Sequence, residues 1–579
     1  MKLNKMKKII VLGLVLTVGL ISSCKDAFLN TAPKGVLSLA TLSNKAGVNY
    51  LLVGAYALID GTGTNNTAGF SSWHGSADNW IYGEVSADNA YKGTTSGDQP
   101  EISFIEQKNI LPDNTHFRGK WSTCYDGIAR ANDVLIVMAK ATDMSEAEKA
   151  NVTAEVKFLR GHYHFELKKM FNMVPYIDEK TYNPDDFSST KLPNDKSIWP
   201  NIEADLKAAY DALPVNQAQP GRPTKWAAGA MLAKAYMYQQ KFAEAKPILQ
   251  AIVDSKKYSL MAKYHDNFRA VQNNNAESVF SIQFSVNDGA AGNENGNTGA
   301  TLNYPSFGGV TTCCGFYQPS QNLVNAFKTD ANGLPLIGTF NDVDVKNDQG
   351  LGVAAAFTPD AGTFDPRLDW TVGRRGITFL DWGLHTGAGF IRDQAYAGPY
   401  SPKKHLPYKS DIGVNTGPNP RLNANNYRMI RYSHVLLLLA ECEVEVGSLE
   451  KARELTNLIR KRASNPDGFV VGSDGKPAAN YVIKEYSDPW TDKAAAQSAV
   501  RYETRIELAM EGHRYFDLVR WGIADATLNA YYDKEKSKRA YFNGVKFVKG
   551  KHEYYPIPLQ EILNSKKAGV EVLKQNPGY

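Results

Sequence analysis

Glu503, Glu507 and Glu511 stand at successive four-residue spacings in RYETRIELAMEGHRYFDLVRW (501–521). On a helix that spacing makes a row of three carboxylates, raw material for a metal site or for acid–base catalysis. Like charges so placed destabilise an isolated helix by roughly a few tenths of a kcal/mol per pair. The neighbouring residues decide between the readings. A hydrolytic zinc helix needs two histidines four apart with a glutamate between them, and His513 has no such companion. Tyr502, Ile506, Ala509, Met510 and His513 fall on the core-facing stripe of the wheel. Arg514 shares the glutamates' side, and Arg501 and Arg505 form a second row. Carboxylates flanked by guanidinium groups suit bidentate ion pairing better than proton transfer, so the row is expected to be a structural charge network.

Other chemistry is sparse. A glycoside hydrolase would need two carboxylates roughly 5–9.5 Å apart across a cleft, with Asp78, Asp88 and Asp381 as candidates. Cys313 and Cys314 are adjacent; a vicinal disulfide and an unpaired buried pair are both open. No Cys or His is spaced to complete a zinc tetrahedron around them. Cys124 and Cys442 lie in helical patterns and read as buried thiols. DVDVKNDQG (342–350) lacks the Gly and Glu of a calcium loop and reads as a polar turn. His162, His164 and His434 lie in helical patterns, as core or surface residues rather than ligands. There is no Gly-rich phosphate loop and no GxSxG. No metal, no cofactor and no catalytic residue is expected.

The frame that must position any site is helical. Segments of 3.6-residue period run over 42–60, 118–140, 145–173, 196–213 and 224–254, then 427–447, 449–464 and 494–530. Two of them repeat each other without a gap. LAKAYMYQQKFAEAK (232–246) aligns with LAECEVEVGSLEKAR (439–453), pairing Ala233 with Ala440, Ala235 with Cys442, Phe242 with Leu449 and Ala245 with Ala452. Small residues at helix crossings, a short turn, then Phe or Leu and an Ala follow the logic of tetratricopeptide pairs. The full signature of that repeat is missing, so two unrelated amphipathic hairpins remain the alternative. The helical scaffold is thus expected over about 42–60, 118–284 and 427–530. Between its parts, 61–117 and 285–426 are rich in Gly, Asn, Pro and aromatics and should form irregular structure with short strands.

At 579 residues, 43% apolar, 22% charged and a net charge of +5, the chain has the composition of a soluble protein with a substantial core. Outside the first eight residues no basic block suggests a nucleic-acid tract. Those eight carry Lys2, Lys5, Lys7 and Lys8, and an apolar run from Ile9 to Ile21 follows. The run is short for a membrane span and reads as a signal peptide, 1–23. It ends in Ile-Ser-Ser-Cys, which resembles a bacterial lipobox, so Cys24 is expected to carry a lipid anchor and to begin a single mature domain, 24–579.

The stretch 501–522 closely resembles the late signature helix of the SusD/RagB family, usually R-x-E-R-R-x-E-L-A-F-E-G-x-R-x-x-D-L-x-R-W-G, departing from it at Thr504 and Met510. Further pieces arrive in the family's order: CKDAFLNTAPKG (24–35), NYRMIRYSHVLLLLAECEVEVG (426–447) with LTNLIRKRA (455–463), and YYPIPLQEILNSKKAGVEVLKQNPGY (554–579). The resemblance implies a mainly α, SusD-like fold on four tetratricopeptide-like helix pairs. It further implies a non-catalytic, outward-facing outer-membrane lipoprotein of Bacteroidetes-type bacteria. Such a protein captures oligosaccharide or polysaccharide for a SusC-like TonB-dependent transporter. Capture of a peptide or another nutrient is the alternative within binding proteins. A lipid-anchored glycoside hydrolase is the alternative from another class, and a purely structural tetratricopeptide adaptor a third.

A glycan surface wants aromatic platforms beside Asn, Asp, Gln or Arg. Three irregular stretches, 71–93, 297–322 and 379–400, offer them. The candidate ligand residues are Trp73, Asp78, Asn79, Trp80, Tyr91, Tyr304, Phe307, Trp382 and His385. Cys313-Cys314 would stiffen a loop beside the site. For any single aromatic the rival reading is packing of its loop onto the scaffold.

Overall fold

The computed structural model describes residues 41–62, 70–306, 309–311 and 313–579. The expected leader and Cys24 lie outside the described residues, as does Phe307. No helix among the described residues is long and apolar enough to cross a membrane.

Eight helices pack as four successive hairpins. They are α1 (Lys45–Tyr56) with α2 (Thr115–Met138), α3 (Glu146–Phe171) with α4 (Trp199–Ala212), α5 (Lys225–Met237) with α6 (Phe242–Asp254), and α7 (Tyr432–Val446) with α8 (Leu449–Ala463). Each hairpin also packs on the next, α2 on α3, α4 on α5 and α6 on α7. The two repeated sequence segments are therefore neighbouring hairpins of one array. Ala233, Ala235, Ala245 and their counterparts Ala440, Cys442 and Ala452 are fully buried, as close helix crossings require. Polar side chains start these helices. Ser145 and Glu148 form a capping box at α3, Thr224 caps α5 and Ser448 caps α8.

The irregular regions form three two-stranded antiparallel ladders: β1 (Ala90–Gly93) with β3 (Phe316–Pro319), β2 (Ser278–Ile282) with β6 (Tyr427–Arg431), and β4 (Val372–Gly373) with β5 (Ser401–Pro402). Two expected helical spans are corrected here. The scaffold over 118–284 turns irregular after Asp254 and ends in β2, and the segment from 427 begins as β6, so α7 starts only at Tyr432. Tyr-Arg-Met-Ile-Arg pairs its backbone with β2 and is buried along its whole length, which overrides its helical period.

A third correction concerns the glutamates. The expected helix 494–530 is three helices: α9 (Lys493–Leu508), α10 (Arg514–Arg520) and α11 (Ala524–Glu535). α9 stops because Met510 and Gly512 adopt φ of 63° and 84°. Glu503 and Glu507 share α9, but Glu511 lies beyond its end. The break has a cause in packing. A Cβ on Gly512 would stand 1.7 Å from the Asp78 carbonyl oxygen, and one on Gly83 would stand 2.0 Å from the Gly512 carbonyl oxygen. Two backbones meet there that only glycine lets meet. The buried Glu84 carboxylate accepts the Gly512 and His513 N–H groups at 2.9 and 3.1 Å, next to the start of α10.

The row is a structural charge network, but the local arginines are not its partners. Arg367 reaches Glu503 at 2.7 Å and Glu507 at 2.8 Å, and Arg460 reaches Glu503 at 3.0 Å. Arg431 and Arg462 both bond Glu507, and Arg431 and Lys404 hold Glu511 at 2.8 and 2.5 Å. Glu277 pairs with Arg462 at 2.8 Å and Asp365 with Arg367 at 2.7 Å. Arg505 and Arg514 instead clamp Asp88, at 3.2 and 2.8 Å, and Arg501 lies over the Trp521 ring. Burial alone would raise the Glu507 carboxyl, but Arg462, Arg431 and Arg367 hold it well below the ordinary carboxylate range.

Glu507→Ala is expected to cost about 3–5 kcal/mol, the scale for removing one partner of a buried ion pair, as read by urea denaturation. Glu507 and Glu511 both have folded-state values below their unfolded ones. Their contribution is thus complete above the unfolded carboxylate range and lost as pH falls through the folded values. Acid unfolding followed by circular dichroism should move to higher pH in Glu511→Gln.

Candidate functional site

The largest groove described, about 1150 Å³, opens beside the first hairpin. Val53 and Tyr56 at the end of α1 and Arg130 of α2 form one wall, residues 70–73 and 294–298 close another, and β2 with Gln283 and Phe284 makes the floor. The turn 219–222 between α4 and α5 forms its far rim.

Its aromatic residues are Tyr56, Phe70, Trp73, Phe280 and Phe284. Trp73 is half-buried, meets the His74 ring edge-on, and its Nε1 finds no acceptor among the described residues. Two guanidinium groups stand in the groove, each bound to a carboxylate. Arg130 is bidentate on Asp126 at 3.1 and 3.2 Å, while Arg222 meets Glu155 at 2.6 Å and lies 5.4 Å above the Tyr56 ring. Tyr56 donates to the same Glu155 at 2.7 Å. Hydroxyl and amide groups complete the lining, among them Ser72, Gln219, Gln283 and Asn295. The carboxylates of Asp60 and Glu294 also line it; flat apolar faces and fixed donors suit reversible binding of a polar ring compound. Of the candidate acids Asp78, Asp88 and Asp381, none lines this groove. Among the described residues no group of three or more His, Cys, Asp or Glu side chains could hold a metal.

Of the eight ligand candidates among the described residues, Trp73 alone is in the groove. Asp78 and Tyr304 line a different, much smaller cavity of about 40 Å³ with Asn303, Tyr317 and Asn423. That is room for about one or two waters. Asp78 accepts from Ser76 Oγ at 2.7 Å, and burial raises its carboxyl above the ordinary value. The Tyr304 hydroxyl accepts from Asn423 at 2.6 Å.

The other candidates that the structure describes hold the scaffold together. Trp80 is 1% exposed, donates its Nε1 to the Gly299 carbonyl at 3.3 Å and packs on Phe316 and Tyr317. Asn79, at φ 50°, donates to Glu166 at 3.0 Å. Tyr91 is fully buried on β1, its hydroxyl 2.5 Å from Glu535. His385 is buried between Phe379 and Phe390 and bonded to Ser401, its value lowered to about 3 by burial and then by Lys403. Trp382 packs half-buried beside the small core of Tyr304, Phe379, Phe390 and Leu406, its Nε1 donating to the Pro407 carbonyl at 3.1 Å. Cys313 and Cys314 are joined as a vicinal disulfide, and Arg421 Nη1 lies 3.3 Å from the Cys314 sulfur. Cys124 and Cys442 are buried free thiols.

Sequence reasoning missed Phe70, Phe284, Tyr56, Arg130 and Arg222. Phe70 sits three residues from Trp73, and a Pro-Gly turn immediately precedes Arg222. Those were the available signals; Tyr56 and Arg130 look like ordinary helix residues. Trp80→Ala is expected to destabilise the fold by about 3–5 kcal/mol, and Trp73→Ala by less than half as much. Urea denaturation of the two variants separates core from groove.

Two family models cover the chain, one described as the SusD family over residues 276–579, the other as starch-binding associating with outer membrane over 37–237. "SusD-like protein P25" of Formosa agariphila is 25% identical over 95% of this chain and 96% of its own length. Among solved structures, a SusD-like carbohydrate binding protein from Bacteroides fragilis matches with a TM-score of 0.67 at 22% identity, over 90% of this chain and 98% of that one. Surface glycan-binding protein A from Bacteroides thetaiotaomicron, in complex with laminarihexaose, matches with a TM-score of 0.64 at 20% identity, over 92% and 99%. With the signature region built as a buried charge network, the helices paired in four hairpins and a family model spanning more than half its length, the chain belongs to the SusD family.

Proposed function

We propose that this protein is a non-catalytic glycan-binding lipoprotein. In this reading it is anchored through Cys24 to the outer membrane, faces the exterior and passes captured oligosaccharide to a SusC-like TonB-dependent transporter. The observation that carries the binding role is the groove beside the first hairpin, where Phe70, Trp73 and Phe284 stand among amide, hydroxyl and guanidinium groups. A pyranose offers apolar C–H faces to such rings and hydroxyls to such donors. The laminarihexaose bound by one structural neighbour and the starch-binding description of one family model support a carbohydrate ligand. The same description supports an outer-membrane address. The lipobox-like Ile-Ser-Ser-Cys and the transporter partner rest on the sequence and on the family.

Affinity electrophoresis of residues 25–579 through gels holding laminarin, starch, xyloglucan or galactan tests this. Retardation by one polysaccharide, lost in Trp73→Ala and kept in Trp382→Ala, is expected. Retardation that survives Trp73→Ala would move the site elsewhere, and oligosaccharide released on long incubation would overturn the non-catalytic reading.

A further inference from the structure

The groove does not end at the turn 219–222. The same turn lines a second cleft of about 460 Å³ on its other side, and Phe280, Ser281 and Gln283 border both compartments. Their chemistries differ. The first holds more aromatic faces; the second is lined by Asn216, Gln217, Gln219, Asn274, Asn275 and Gln283 together with the Tyr258 ring and the shared Phe280, with no carboxylate. A carboxamide offers two donors and an acceptor oxygen with two lone pairs, the complement of a run of hydroxyls. The cations in this cleft already have partners, Arg222 in Glu155 and Lys257 in Asn216. Arg222 is neutralised by Glu155, whereas Lys257 keeps its positive charge beside a neutral amide oxygen.

The divide between the compartments is the turn itself, packed on Gln283. Gly221 has φ +83°, and a Cβ there would stand 2.6 Å from Cγ of Gln283, so the turn lies directly on that side chain. Gln283 is held flat by a reciprocal amide pair with Asn274, at 2.8 and 3.0 Å, and by Asn426 at 2.9 Å.

We infer that the amide-lined cleft is a second carbohydrate-contact lobe. One polyhydroxyl chain lies across 219–222, with its sugar faces on the aromatic rings and its hydroxyls turned to the amides. The inference rests on the glycan-binding reading and adds chain-length selectivity to it: a short oligosaccharide fills the aromatic compartment, and a longer one gains the second.

Two variants test it by calorimetry with the retarding polysaccharide of the panel and with its trisaccharide. Ala276→Trp places a bulky ring in the second cleft from an exposed position outside the first. Asn216→Ala with Asn274→Ala removes two amides, while Gln283 keeps its bonds to Asn426 and Ser281. Both should weaken the polysaccharide about five- to thirty-fold, the effect of losing two neutral hydrogen-bonding partners, and change the trisaccharide less than about two-fold. Unchanged polysaccharide binding in both variants, with Trp73→Ala still abolishing it, would overturn the second lobe and leave the glycan reading standing. Equal loss for the trisaccharide would overturn it by placing these residues in one short site. If none of the four polysaccharides retards the wild type, both readings fall together.

Discussion

The interaction on which the rest depends is the buried contact of Glu507 with Arg367, Arg431 and Arg462. Those three arginines come from the turn before β4, from the end of β6 and from α8. Around them five carboxylates (Glu277, Asp365, Glu503, Glu507, Glu511) meet five cations (Arg367, Lys404, Arg431, Arg460, Arg462), so the cluster carries no net charge. Burying any one of these groups alone would cost several kcal/mol, on the order of its desolvation. Each therefore fixes the position of the others. Helix pairs fix the array, but this cluster fixes how the irregular 285–426 region sits on it. Arg367 and Lys404 belong to that region, and Arg431 to the strand that leads out of it.

The second constraint is the meeting of Gly83 with Gly512. It brings the early irregular region onto the end of α9 so closely that Asn79 and Trp80 have no freedom to face solvent and Asp78 is half-buried. Asp78 accepts from Ser76, the Asn79 amide nitrogen donates to Glu166 and the Trp80 indole donates to the Gly299 carbonyl. Trp73 precedes this clamp in the chain. The same constraint that buries Trp80 thus leaves Trp73 at the edge of the groove.

The helical frame was legible because its signals are local and repeated: the 3.6-residue period and the small residues at helix crossings. The ion-pair role of the glutamates was legible from their arginine surroundings, but their partners were not, since Arg367 and Arg431 are distant in sequence. Nor was the end of α9, which a contact with Asp78 imposes from more than 400 positions away. Where β6 replaces the first turn of a helical pattern, pairing with β2 decides, and no window of sequence contains both strands. Among site residues the composition of the loops misled. Trp80, Tyr91, Tyr304 and His385 have polar or glycine neighbours, yet each lies in a core.

That pattern has a physical reason. An irregular segment has few periodic apolar positions, so it must be anchored by a small number of large side chains. Each buried aromatic removes roughly 150–250 Å² from water. At about 25 cal/mol per Å² that is roughly 4–6 kcal/mol before ordering is counted. The entropy of fixing a few loop residues is of similar size, at about 1–2 kcal/mol each. A glycine-rich loop therefore spends most of its aromatics on staying folded. Those available to a ligand are the ones the scaffold fails to cover, at the seam between a loop and a helix pair. Trp73 and Phe284 stand at such a seam, against α1 and the turn between α4 and α5. Binding residues in this fold are thus found by asking where the helical array leaves an edge, rather than where the loops are richest in tryptophan and tyrosine.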